Sequence, residues 1–372
     1  MEPLIPLLSA WRSLGLGTRE VIDAIVAPEH RGPSSQLAGI LSAWPGRHYW
    51  LDRDHTRLVL IRHVGPPQQE RWVLQATLLL LTVICTLAAG ALLSGTWSLR
   101  LGGDWIVSSF RFVEEAERAG WRHLIVGWSF AAPLLGILLV HELGHYVAAR
   151  RYALDVSPPF FLPVPPTLSP IGTLGAFLRL RTPVLDRRQL LDVGAAGPLA
   201  GFVVACAVLV WGYATSDGLP AGLGHQASFV IFAGEPIFLG ESLLTQAFRD
   251  HFFPTAASVH LSLPAFAGWV GMFVTGLNLL PLSQLDGGHV LYGMLGKRQA
   301  IVGFLTILGL VYLGQYSWSW YVWVAFALFI GGGRWTHPSV IAPGRSVPAS
   351  RRWIGLACVV VFVVTFVPVP FK

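Results

Sequence analysis

The chain has 372 residues, of which 53% are hydrophobic and only 12% are charged. About a quarter of the residues of a soluble domain are charged, so this composition excludes an ordinary soluble protein and indicates a polytopic α-helical membrane protein. The net charge of +6 could suggest a nucleic-acid ligand, but the arginines are spread along interhelical loops. We therefore expect membrane lipid around the chain and no nucleic-acid partner.

Residues 1–70 are too charged to cross a membrane and are predicted to form a small, soluble α+β region on the cytoplasmic side. Residues 18–26 resemble a short capped helix, 37–44 a possible second helix, and 48–51 and 57–61 two strands. The start lacks a basic segment and a cleavage site, so no secretory signal is predicted. The region could recognise a partner or be a passive folded tail.

Residues 71–370 are predicted to form a multi-pass membrane domain with its core at 124–290. Apolar stretches of near-membrane length predict about six to seven transmembrane helices. Polar stretches at 94–123 and 214–262 are predicted to lie on the far side of the membrane. The predicted spans are 71–93, 124–149, 192–213, 263–285, 301–315, 317–330 and 353–369.

The segment 156–180 is apolar but cannot be a helix, because its prolines remove backbone donors and its glycines interrupt it. It is predicted to form a membrane-associated, β-hairpin-like structure covered by protein or lining a cavity, since lipid cannot satisfy its backbone hydrogen bonds. Two interpretations stay open. The segment could pair edgewise with a substrate chain, or it could be a membrane-surface hairpin that never contacts substrate.

The sequence His-Glu-Leu-Gly-His at 141–145 lies near the end of the second predicted span. Two imidazoles four residues apart on a helix can bind one divalent ion from the same face, with Glu142 beside the open coordination position. Such an ion lowers the pKa of a bound water, and the carboxylate accepts its proton. The alternative is a pair of interfacial histidines that bind only neighbouring helices.

A catalytic zinc site has three protein ligands, and Asp286 is the natural third. It lies at the matching depth of another span and is followed by two glycines that permit a close backbone approach. Asp286 could instead cap a turn. His289 is the competing ligand, although we expect it to support the metal ligands from outside the coordination sphere or to lie in a loop.

Basic residues give the orientation. With the N-terminus in the cytoplasm, 20 of the 26 lysines and arginines fall on the inner side, as the positive-inside rule requires. Both motifs then lie at the cytoplasmic ends of their helices. We expect a multi-pass protein of a prokaryotic cytoplasmic membrane.

These motifs together carry a family resemblance. The HELGH segment, Asn278-Leu-Leu-Pro281 and Leu285-Asp-Gly-Gly-His289 resemble the site-2 protease family of intramembrane zinc metalloproteases. The stretches 172–176 and 194–201 are also similar, especially to the branch without a PDZ domain that includes the plastid EGY proteins. The sequence His337-Pro-Ser-Val340 is similar to a motif found after the core in this branch, and no chemistry is assigned to it.

The resemblance implies a zinc metalloendopeptidase that cuts single-span membrane proteins at or within the membrane. His141, His145 and Asp286 would bind one zinc ion, and Glu142 would be the general base. Asn278 would hydrogen-bond the substrate or the developing oxyanion. Two other classes stay open: an inactive membrane scaffold, and a metal transporter, although the spans contain few of the polar residues that a transport path needs.

Overall fold

The computed structural model describes residues 3–16, 19–32, 34–52, 54–64, 70–95, 121–152, 154–181, 184–220, 228–338, 340 and 347–371. The predicted far-side stretch 94–123 lies mostly outside these residues. The chain divides into two compact units. Unit 1 contains Met1–Arg71, Ala149–Ser157 and Leu180–Pro183, and unit 2 contains the remaining residues.

Unit 1 contains a four-stranded antiparallel sheet in the order β1-β2-β4-β3. Its core is formed by buried aliphatic side chains of the sheet and of α1, including Ile22, Leu37 and Leu60. The N-cap Ser34 accepts a hydrogen bond from the Leu37 amide. The elements are β1 (Leu8–Leu16), β2 (Arg19–Val26), α1 (Ser35–Ser42), β3 (Gly46–Trp50) and β4 (Arg57–His63).

The helix predicted for 18–26 is wrong, because residues 19–26 form the central strand β2. Ile22, Ala24 and Val26 alternate along this strand and are fully buried. This period of two is typical of a strand, and pairing with β1 on one side and β4 on the other outweighs the local helix signal. Strand β1 was not predicted at all.

Two short segments from later in the chain also belong to unit 1. Strand β3 contacts the first through Arg47, which donates to the Arg150 carbonyl at 2.9 Å, and through Tyr49, whose ring packs edge-on against Tyr152. The second segment holds Arg181, whose guanidinium donates two bonds of 2.8 and 2.7 Å to Glu70. The two segments also pair with each other within unit 1, because Val156 forms an antiparallel bridge to Leu180.

Unit 2 is mainly helical. Four helical segments are long and apolar enough to cross a membrane by length and composition: Trp72–Leu93, Trp128–Arg151, Arg187–Ala214 and Asp286–Leu313. The last segment consists of two helices, Asp286–Leu295 and Gln299–Leu313, joined by a 3-10 turn at Gly296–Arg298. Leu263–Asn278 and Ser319–Ile330 are shorter apolar helices. The helices are α2 (Trp72–Leu93), α3 (Trp121–Val126), α4 (Trp128–Arg151), α5 (Arg187–Ala214), α6 (Leu243–Phe252), α7 (Leu263–Asn278), α8 (Asp286–Leu295), α9 (Gln299–Leu313), α10 (Ser319–Ile330) and α11 (Ala349–Thr365).

These four helices support a membrane protein, whereas the predicted count of six to seven spans stays a prediction. The span predicted for 263–285 is wrong at its end, because α7 stops at Asn278 and residues 279–285 are not helical. Pro281 lacks a backbone donor, and Ser283 has a positive φ of 41°. This break allows Asp286 to begin a new helix.

Unit 2 also contains strands. Strands β5 (Phe160–Pro163) and β6 (Thr173–Phe177) pair antiparallel within the 156–180 segment. A four-stranded sheet in the order β7-β10-β8-β9 lies in the region predicted for the far side. Its strands are β7 (Asp217–Leu219), β8 (Ser228–Phe232), β9 (Glu235–Leu239) and β10 (Ser258–His260).

The core of unit 2 surrounds α7, nearly all of which is buried. Phe266 stacks on Phe130 of α4 and on Trp269, and the Trp269 indole donates to the Gly240 carbonyl at 2.8 Å. Gly212 of α5 lies against the Ala265 backbone. A Cβ added at Gly212 would lie only 2.3 Å from the Ala265 Cα, so no larger residue fits there. Close contacts of this kind hold α4, α5 and α7 together and position the residues described next.

Candidate metal centre

His141 and His145 lie one turn apart on α4, and their Nε2 atoms are 3.1 Å apart. The Nδ1 atom of His145 lies 2.8 Å from the Val193 carbonyl oxygen on α5. Because a carbonyl can only accept, Nδ1 carries the proton, and Nε2 of the neutral ring is left with its lone pair. That lone pair belongs to the form of histidine that binds metals.

Asp286 completes the cluster from the first turn of α8. Its Oδ2 is 3.3 Å from the His141 Nε2, and its Oδ1 is 3.3 Å from the His145 Nε2. The glycines after it are required sterically: a Cβ at Gly287 would lie 2.0 Å from the Leu279 carbonyl oxygen, and one at Gly288 would lie 2.3 Å from that of Ser283. The Asp-Gly-Gly sequence thus lets the helix start against the 279–285 segment.

The donor atoms fit a zinc ion. Zinc bonds of 2.0–2.2 Å in a tetrahedral site place neighbouring ligand atoms about 3.3 Å apart, and two imidazoles with one carboxylate are a known catalytic set with an open fourth position. The separations of 3.1, 3.3 and 3.3 Å match this spacing. In the described part of the chain, these three residues are the one group of three or more His, Cys, Asp or Glu side chains close enough to share an ion.

Small residues of α5 create the space for the imidazoles. A Cβ at Gly197 would lie 2.1 Å from the His145 Nε2, and a Cβ at Gly201 would lie 3.1 Å from the His141 Cβ. On the facing helix, a Cβ at Gly144 would lie 2.5 Å from the Ala196 carbonyl oxygen. The small-residue sequence at 194–201 therefore packs directly against the histidines.

The other two predicted site residues lie beside this cluster. Glu142 follows His141 on α4 and is only 6% exposed. Asn278, the last residue of α7, places its Nδ2 atom 3.4 Å from the His141 Nε2. An acidic side chain and an amide donor therefore accompany the three donor atoms.

His289, the predicted competing ligand, is not part of the three-residue cluster. Its Nδ1 instead lies 2.8 Å from the Nε2 of His337. The sequence did not predict the contact between His145 and the Val193 carbonyl, because a backbone acceptor leaves no trace in the residue type. It also gave His337 no role, although the His337-Pro-Ser-Val340 motif marked that segment.

Comparison with known proteins agrees with this geometry. The model of peptidase family M50 matches residues 129–312. A rice protein (Oryza sativa subsp. japonica) named probable zinc metalloprotease EGY1, chloroplastic, is 34% identical over 199 residues, which are 51% of this chain and 33% of the rice protein. An Arabidopsis thaliana protein named probable zinc metalloprotease EGY2, chloroplastic, is 30% identical over 244 residues, 63% of this chain and 40% of the relative.

The chain thus spans between a third and two fifths of the length of these relatives. No solved structure matches it. The family match covers the helix with HELGH, the small residues of α5 and the helix with Asp286, which are the elements that carry the predicted resemblance. That resemblance to the site-2 proteases is confirmed, because this membrane protein matches the model of peptidase family M50 and resembles proteins named as zinc metalloproteases.

Proposed function

We propose that the protein is an intramembrane zinc metalloprotease that hydrolyses peptide bonds in the transmembrane segments of single-span membrane proteins. The observation that carries this proposal is the convergence of two imidazole nitrogens and the Asp286 carboxylate at the spacing of zinc ligands, with Glu142 directly after His141 on the same helix. The relatives are named probable zinc metalloproteases, which supports the same metal and reaction class.

His141, His145 and Asp286 would hold the ion. When bound, zinc supplies Lewis-acid polarisation and activates water. Glu142 accepts a proton from the attacking water and passes it to the nitrogen of the leaving amine. Asn278 donates from Nδ2 to the carbonyl oxygen as it gains negative charge. The Val193 carbonyl keeps His145 in the required tautomer.

The 156–180 segment is our candidate for holding the substrate. A transmembrane helix must unwind before cleavage, because its carbonyls are occupied in i to i−4 hydrogen bonds. Within the described residues, β6 pairs only with β5, so its other edge can accept an extended chain. Leu174 and Phe177 on β6 are 67% and 45% exposed. The alternative, a membrane-surface hairpin without substrate contact, predicts that a photo-crosslinker at 174 captures no substrate.

We further propose that the N-terminal region of residues 1–70 and the metal centre lie on the positively charged, inner side of the membrane. The metal centre is then close to water, which hydrolysis requires. The relatives are named chloroplastic, so they do not support the expected prokaryotic cytoplasmic membrane.

The decisive experiment replaces Glu142 by glutamine in membranes that express the protein. The variant should keep zinc but cut at least about a hundredfold more slowly, since general-base catalysis contributes about 10² to 10⁴. Uncut single-span proteins should accumulate in its membrane proteome. Glu235→Gln is the matched control, because Glu235 is exposed on β9 and should have no effect.

The alternatives give different results. An inactive scaffold or a metal transporter would show the same membrane proteome with wild-type protein and with Glu142→Gln. That outcome, in preparations that contain zinc, would contradict the proposed protease activity.

A further inference from the structure

The His337-Pro338 sequence joins the metal-site region through a chain of hydrogen bonds. The His337 Nδ1 lies 2.5 Å from the Pro338 carbonyl oxygen, and its Nε2 lies 2.8 Å from the Nδ1 of His289. Because the carbonyl only accepts, His337 carries its proton on Nδ1 and accepts at Nε2. His289 therefore donates from Nδ1 to His337, and both rings have a defined tautomer.

His289 connects this pair to the carboxylate ligand. It lies three residues after Asp286 on α8, so both side chains are on the same side of the helix. The α-carbon of Gly194 lies beside both residues: a Cβ there would be 2.7 Å from the His289 Cβ and 3.4 Å from the Asp286 carbonyl oxygen. Rotating α8 about its axis to move Asp286 would break the His289 contact with His337.

A second contact fixes the same side of α8. The ring of Tyr292, three residues beyond His289, lies 4.7 Å from the His337 ring with an interplanar angle of 33°. Tyr292 is 3% exposed and packs with Val340 of the same motif. The motif therefore contacts two successive turns of α8.

The motif is also tied to the chain that precedes Asp286. The His337 amide donates to the Gln299 Oε1 at 3.0 Å, and the Gln299 Nε2 donates to the Pro281 carbonyl at 2.9 Å. The Ser283 amide donates to the Trp335 carbonyl at 3.0 Å. The segment around His337 thus bonds to residues on both sides of Asp286 in the sequence.

We propose that His337 is a positioning residue for the Asp286 carboxylate, acting through His289. This inference rests on the proposed zinc site and extends it. Partners that orient metal ligands typically contribute 10- to 100-fold to metal affinity. Here His337 orients α8, the helix that carries Asp286, and it does so through the hydrogen bond that its Nε2 atom accepts from His289.

The test compares His337→Gln with His337→Asn in the purified full-length protein. A glutamine oxygen reaches the Nε2 position and can accept from His289, whereas an asparagine amide reaches only the Nδ1 position. We expect His337→Gln to bind zinc within about threefold of wild type and His337→Asn to bind it 10- to 100-fold more weakly in chelator competition. The absorption spectrum of the cobalt(II)-loaded protein should change only in His337→Asn.

His260→Asn is the matched control, because His260 contacts Phe229 in the sheet formed by β7, β8, β9 and β10. Thermal unfolding of the metal-free variants shows whether His337→Asn folds. If it does not, a wild-type zinc affinity and cobalt spectrum in His337→Gln still supports the proposal, and a loss of both overturns it.

The outcomes separate the two proposals. Equal zinc affinity and equal cobalt spectra in wild type, His337→Gln and His337→Asn would overturn the positioning role and leave the proposed function intact. Equal losses in His337→Gln and His337→Asn would also overturn it, since a general packing role does not depend on the acceptor's position. A wild-type protein that binds no zinc would contradict the proposed function itself.

Discussion

Replacing Gly197 by alanine should destroy the metal centre while leaving the helix intact. The added Cβ would lie 2.1 Å from the His145 Nε2, 2.4 Å from Cδ2 and 2.6 Å from Cε1, whereas an ordinary contact is 3.4 Å or more. The imidazole, or the helix that carries it, must therefore move by roughly 1.3 Å, although metal bonds tolerate only about 0.2 Å.

The expected effect is large. A displacement of about 1 Å at a reacting centre can cost about 100-fold in rate, so we expect at least about a 100-fold loss of cleavage. Zinc affinity, measured by chelator competition, should fall at least about tenfold. Gly201→Ala should have a milder effect, because its Cβ would lie 3.1 Å from the His141 Cβ. His141 would then have to move by only a few tenths of an ångström.

Gly136→Ala is the matched control, because nothing lies within 4 Å of its Cβ position on the same helix as the histidines. Alanine also favours a helix over glycine by about 1 kcal/mol, so this variant should be at least as stable as wild type. A Gly197→Ala protein that binds zinc and cleaves like Gly136→Ala would refute the packing of α5 on His145.

Two further predictions concern unit 1. Arg181→Lys should loosen the ends of the 156–180 segment, because lysine cannot reproduce the two hydrogen bonds that Arg181 donates to Glu70. Limited proteolysis should therefore cut this segment faster in the variant than in wild type. An unchanged rate of digestion would contradict this prediction. Hydrogen bonds from Ser13 and then Arg62 lower the pKa of Glu20 below its usual value of 4.5. The resulting stability is present above the unfolded pKa and is lost as the pH falls through the folded pKa, so Glu20→Gln should flatten the acid limb of a urea-unfolding pH profile.

The sequence predicted the chemistry of the site better than its surroundings. The four-residue spacing of His141 and His145 indicates one helix face, and Asp286 at the matching depth indicates the third donor. The structure does bring these three side chains together. Spacing rules cannot show, however, which glycine of 194–201 meets which imidazole, because that depends on how two helices cross.

Other features were missed because they depend on partners distant in the sequence. Residues 19–26 have enough helical character to mislead, and their pairing with β1 and β4 decides the outcome. The apolarity of 263–285 suggests a continuous span, yet Pro281 and the positive φ of Ser283 interrupt it. The bond between His289 and His337 joins residues 48 positions apart, which no local pattern predicts.

Zinc K-edge X-ray absorption of the purified protein tests the central claim most directly. One zinc per chain should be coordinated by two imidazole nitrogens at about 2.0–2.1 Å and by oxygen at about 2.0–2.2 Å. Asp286→Ala should lose the ion or alter that coordination. Zinc coordinated identically in wild type and Asp286→Ala, or wild-type protein without the two imidazole ligands, would contradict the account.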